Sequence, residues 1–145
     1  MQNQPRGRGP EQIALQIPCR YSYLRIVRQA VGDLCAQTCV SEFKAAQLEM
    51  AVDEVCAELI GQLRQRPEGG GRSLQIMLGR QSGEIAVQIC YPGDKVECPA
   101  LASPPVRPGE DAGSLGSYVV QRFVDRVEHV HDPESGWCVR LHKRI

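Results

Sequence analysis

The sequence predicts an α/β (α+β) two-layer sandwich: one mixed, mostly antiparallel sheet with helices on one face. Period-two apolar alternation stands near the start of the chain, and two 3.6-residue repeats follow it. At 145 residues the chain fits one domain, long enough to bury a core without staples. The resulting order, β-α-α-β-β-loop-α-β-β, sets strand runs around helices, which pack as a sheet covered on one side.

The elements follow in order. Residues 1–10 (MQNQPRGRGP) are polar and read as a disordered tail, leaving 11–145 as the domain. From Gln12 to Cys19, Ile13, Leu15 and Ile17 alternate with Gln12, Ala14 and Gln16, a half-buried strand that Pro18 closes or confines to an edge. From Tyr21 to Gln37, Leu24, Val27, Val31, Leu34 and Cys35 recur at helical steps. Ser41 has the chemistry of an N-cap, opening a helix through Arg64 on the stripe Leu48, Val52, Val55, Leu59 and Leu63. Pro67 and the run Gly69-Gly70-Gly71 end it. Ser73–Gly79 and Glu84–Tyr91 form a hairpin about Arg80-Gln81-Ser82-Gly83. Residues 92–112 hold five prolines and little apolar pattern, a loop placed as an active-site lid would be. A third helix follows Gly113-Ser114-Leu115-Gly116, and strands Arg126–His131 and Trp137–Arg144 close the domain around an Asp132–Gly136 turn.

Lys plus Arg and Asp plus Glu balance at 17 each, which lacks the basic excess of a nucleic-acid binder. No run approaches the roughly 20 apolar residues of a membrane helix. The N-terminus has no apolar core for a signal peptide, so a cytoplasmic location is expected. Seven cysteines, an odd number with no C-x2-C pair, argue against a closed disulfide framework. Most of them read as small buried apolar residues in a reducing compartment, and no zinc site is expected.

Three segments carry chemistry. Leu48–Glu58 (LEMAVDEVCAE) sets Glu54 and Glu58 four apart, on one helix face. Val87–Gly93 (VQICYPG) ends a strand at Tyr91, two residues before Gly93. Gly113–Val127 (GSLGSYVVQRFVDRV) opens a helix behind a Gly-x-x-Gly pair, whose exposed amides and helix dipole favour an anion. In this order and spacing they resemble the GHKL ATPase superfamily, with its histidine-kinase-like (Bergerat) fold, and within it the bacterial anti-sigma-factor serine kinases. The resemblance spans about Ile13 to Ile145, and the tail Gly136–Arg144 is similar to the family's last strand.

The resemblance implies roles by position. Glu54 stands where the family has its general base, and Glu58 where an asparagine helps to hold magnesium. Tyr91 stands where an aspartate accepts the adenine amino proton, with Gly93 after it. Gly113, Leu115 and Gly116 match the segment that receives phosphates. ATP and magnesium are the implied cofactors. Losing the aspartate should weaken adenine binding about 10- to 100-fold, because a charge-assisted hydrogen bond is worth about 1.5–3 kcal/mol. Glu58 remains a legitimate magnesium ligand, yet two carboxylates facing phosphates repel them unless a cation intervenes.

From the residues alone, Glu54 and Glu58 read equally well as a solvated helix face. Tyr91 reads as an aromatic packed under the loop, Gly113 and Gly116 as a permissive turn, and His129 and His131 as one side of a surface strand. The leading expectation is an anti-sigma-factor-like regulator that binds a sigma factor or an anti-sigma-factor antagonist, commonly as a homodimer, with nucleotide binding weakened or lost. The alternative is an active ATP-dependent serine kinase acting on that antagonist.

Overall fold

A computed structural model describes residues 11–67, 72–98 and 115–145. The expected tail 1–10, the run 69–71 and the 99–112 part of the loop lie outside the described residues, as do Gly113 and Ser114. Strand β1 (Gln12–Pro18) leads through a 3-10 turn (Tyr21–Tyr23) into α1 (Leu24–Gln37) and α2 (Glu42–Arg64). Then come β2 (Ser73–Gln81), β3 (Glu84–Tyr91), α3 (Leu115–Phe123), β4 (Arg126–Asp132) and β5 (Gly136–Arg144). The strands form one sheet in the order β1-β2-β3-β5-β4. All four pairings are antiparallel, so none of the described ladders supplies the parallel pair that a mixed sheet would have.

Two boundaries differ from the sequence expectation for local reasons. The helix expected from Tyr21 becomes α-helical only at Leu24, after the 3-10 turn. The β2–β3 connection narrows to Ser82 and Gly83, both at positive φ (48° and 79°). Two consecutive left-handed residues give a turn whose twist matches the flanking strands, so Arg80 and Gln81 join β2. Ser41 caps α2 as its chemistry predicts, accepting the Lys44 amide at 3.1 Å.

Register separates the two faces. Ile76, Ile89 and Val139 lie in one row across β2, β3 and β5, and Leu78, Val87 and Leu141 in the next. All six are buried, and with Ile17 and Leu74 they form the floor of the core. Helix α2 is its centre, burying Leu48, Ala51, Val52, Val55, Cys56, Leu59, Ile60 and Leu63. Each fully buried Leu or Ile contributes about 1.5–3 kcal/mol relative to exposure. That is more than a single stripe, because α1 packs on one flank of α2 and α3 on the other.

The cysteine reading needs correction at one pair. Cys90 and Cys138 form a disulfide, because the β3–β5 register sets them directly opposite. A search by sequence spacing could not see this, since 48 residues separate them. Cys19, Cys35 and Cys56 are buried free thiols, and Cys39 is an exposed one.

Buried Lys143 ties the layers together. Its Nζ donates to the Phe123 carbonyl at the end of α3 (2.6 Å) and to Gln47 Oε1 on α2 (2.7 Å). Burial lowers its pKa below the ordinary lysine value, partly offset by Asp125. Lys143→Ala should leave the Phe123 carbonyl without this partner and cost about 1–3 kcal/mol, read from urea unfolding with an unchanged m value.

Candidate functional site

The site is built along one lane of α2. Because α1, α3 and the sheet take its other sides, Glu54, Glu58 and Gln62 fall at successive four-residue steps on a single face. Arg66 follows four residues further on, just past the helix end. Gln62 Nε2 donates to Glu58 Oε2 at 3.2 Å and to the Glu97 carbonyl at 3.0 Å. Arg66 Nη2 donates to the Asp94 carbonyl at 2.6 Å. The lane therefore holds down the segment that follows β3.

Tyr91, the last residue of β3, is 1% exposed. Its hydroxyl accepts the Val96 amide at 2.9 Å and lies 2.7 Å from His129 Nε2. Burial pushes the phenol pKa up, against the Val96 hydrogen bond, so it remains a donor. Burial first, then Lys95, holds His129 below the ordinary histidine value. The neutral ring thus accepts at Nε2, and its proton is assigned to Nδ1. Val96 is drawn into the core beside Tyr91, at 2% exposure. Trp137 is the register partner of Tyr91, and its ring stands edge-on to His129 and His131 with centroids 5.6 and 5.2 Å away. Lys95 Nζ lies 5.3 Å from the Trp137 centroid.

Two glycines border this arrangement. Gly93 has φ 88°, and a β-carbon there would lie 2.9 Å from Arg66 Nη1 and 3.3 Å from Arg72 Nη1. At Gly116, in the first turn of α3, a β-carbon would lie 2.7 Å from Glu54 Oε2. The room that glycine leaves at the start of α3 is thus taken by the Glu54 carboxylate.

Of the residues singled out in the sequence, Glu54 and Gly116 meet, Glu58 joins the same lane, and Tyr91 and Gly93 stand at the end of β3. Gly113 lies outside the described residues, and Leu115 opens α3. The reading of Tyr91 as an aromatic packed under the loop agrees with its burial. The surface reading of His129 needs correction: it shares the Tyr91 hydroxyl. Sequence reasoning also missed Gln62, Arg66, Val96 and Trp137. The four-residue spacing that joins Glu54 to Glu58 would have reached Gln62 and Arg66 if continued.

Comparison with known proteins places the chain. Residues 17–143 match the family model described as the histidine kinase-like ATPase domain. The chain belongs to this family. No curated protein matches. Among solved structures, one match is to the RsbU and RsbW domains of Rv1364c from Mycobacterium tuberculosis, with a TM-score of 0.63 and 11% identity. That match covers 92% of this chain and 32% of that one, and at this identity it shows the fold. No helix among the described residues is long and apolar enough to cross a membrane.

The last residue of β3 is thus a phenol rather than a carboxylate. The hydroxyl that stands there is already engaged by Val96 and His129. The Glu54 carboxyl is held above the ordinary glutamate value by burial first, then by Asp53 and Glu58. The native state therefore keeps this proton to a higher pH than the unfolded chain does. This contribution to stability falls as pH rises from the unfolded pKa through the native one. Glu54→Gln should raise the unfolding midpoint at about pH 7, with the gain vanishing near pH 4, where the unfolded carboxyl also begins to hold its proton. Paired urea titrations of both proteins at the two pH values check this.

Proposed function

We propose that this chain is an anti-sigma-factor-like regulatory protein. It holds a sigma factor or an anti-sigma-factor antagonist, as a homodimer, and its nucleotide binding is weakened or lost. The observation that supports this reading is Tyr91: a buried phenol at the family's adenine-anchor position, bonded to Val96 and His129. A purine entering there must displace Val96 and break both hydrogen bonds, with no carboxylate to reward it. Glu58, at the magnesium position, already accepts from Gln62. Partner binding needs apolar anchors and complementary shape rather than a phosphate site, so the fold can keep it. The RsbW domain among the structural matches is in keeping with this reading through its fold.

The competing reading is an active ATP-dependent serine kinase, and one observation favours it. Glu54 sits against the first turn of α3, where a general base would meet a substrate hydroxyl beside phosphates held by the helix N-terminus. Glu58 with magnesium would then supply the metal.

Thermal unfolding with MgATP and MgADP separates the two. A ligand at 100 times its Kd stabilises the fold by about 2.7 kcal/mol. The regulatory reading predicts little or no shift in Tm at millimolar nucleotide. A shift, together with phosphorylation of an antagonist that Glu54→Ala abolishes, would establish the kinase instead.

A further inference from the structure

Three hydrogen bonds among the described residues pin the segment after β3, and pH acts on them differently. Gln62 donates to the Glu97 carbonyl and Arg66 to the Asp94 carbonyl. Neither an amide nor a guanidinium changes charge between about pH 5 and 8. The third bond runs from the Val96 amide to the Tyr91 hydroxyl, 2.9 Å away, and that hydroxyl lies 2.7 Å from His129 Nε2. Val96 is therefore coupled, through one buried phenol, to an imidazole, the side chain that titrates in this range.

Donor and acceptor chemistry gives the direction of the coupling. While His129 is neutral, the Tyr91 O–H donates to Nε2 and the phenol oxygen is free to accept the Val96 N–H. Protonation puts a hydrogen on Nε2, so the ring can only donate. The Val96 amide must then share the phenol oxygen with an imidazolium, and the charged donor is the stronger. The phenol's own proton loses its acceptor, and burial, which keeps this pKa high, prevents its loss. The neighbours act in the same sense. Burial and then Lys95 disfavour the imidazolium, against the pull of Glu97. From β5, Trp137 stands edge-on to His129 with Lys95 over its ring, and exposed His131 of β4 meets the same indole. At the phenol, Cys98 and Glu97 raise the pKa and Arg66 lowers it. Lys95 and the buried Val96 both belong to the segment itself. Letting the segment go removes the repelling cation, so a proton on His129 favours the released state.

We propose that Tyr91 and His129 form an acid-released latch on residues 94–97, closed while the imidazole is neutral and opened when it takes a proton. The native ring binds its proton less tightly than the unfolded chain, where histidine titrates at about 6.5. The latch therefore contributes its full stability above about pH 6.5 and loses it as pH falls through the lowered native value. The inference goes beyond the regulatory reading, because it invokes neither nucleotide nor partner and either can fail alone.

NMR of the full chain without ligand tests this, following the His129 ring and the Val96 amide from about pH 8 to about pH 5. The ring should titrate below about 6.5, and the Val96 amide resonance should move with the same midpoint. Val96 protection from hydrogen exchange, corrected for the intrinsic rate, should fall about tenfold or more across the range. Lys95→Gln, at an exposed position, removes the nearby cation and should raise both midpoints together. His129→Gln keeps an acceptor for the phenol and should leave Val96 protected at every pH. Thermal melts at neutral pH show whether each variant is folded, and Lys95→Gln decides the matter if His129→Gln is not. A ring midpoint at or above about 6.5, or a Val96 amide unmoved while His129 titrates, overturns the proposal. So does a Lys95→Gln shift confined to the ring, or the same acid loss of Val96 protection in folded His129→Gln.

Discussion

Helix α2 is buried on three sides, and that constraint shapes the rest of the molecule. Its apolar residues are taken by the sheet, α1 and α3, and one lane of polar groups runs along it. Glu54, Glu58, Gln62 and then Arg66 line up there, all on the side facing α3 and the segment after β3. Position on this lane decides what each can do. Glu54 meets the first turn of α3, while Gln62 and Arg66 bind backbone carbonyls of 94–97. The lane thus fastens the segment that follows β3.

Tyr91 completes the fastening from the sheet. A carboxylate at the end of a buried strand would need a partner or a ligand to offset its desolvation. A phenol there is satisfied by one amide and one imidazole and fills space as well. The end of β3 is thus internally complete in its hydrogen bonding. Among the described residues, no buried side-chain nitrogen or oxygen lacks a partner, which fits that description.

Much of the fold was legible because its signals are periodic. The α2 stripe, the alternation in β1, the Ser41 cap and the Asp132–Gly136 turn each depend on neighbours within a few residues. The family resemblance came from three segments in order, Leu48–Glu58, Val87–Gly93 and Gly113–Val127. What could not be read depends on register and tertiary placement. Cys90 and Cys138 meet only because β3 and β5 pair where they do. Val96 sits between two charged residues, Lys95 and Glu97, and nothing in that pattern marks it as core. Its burial comes from the Tyr91 hydroxyl that holds its amide. His129 was invisible as a partner of Tyr91 because the two belong to strands separated by β5.

The central claim is that Tyr91 closes the base position by holding Val96 down, and the Val96 amide reports this directly. Its hydrogen exchange, followed residue by residue by NMR with and without saturating MgATP, should be slow and unaltered by nucleotide. Faster exchange at Val96 on adding MgATP, with moved resonances at Tyr91 and His129, would mean that the base displaces the loop, and would contradict the account.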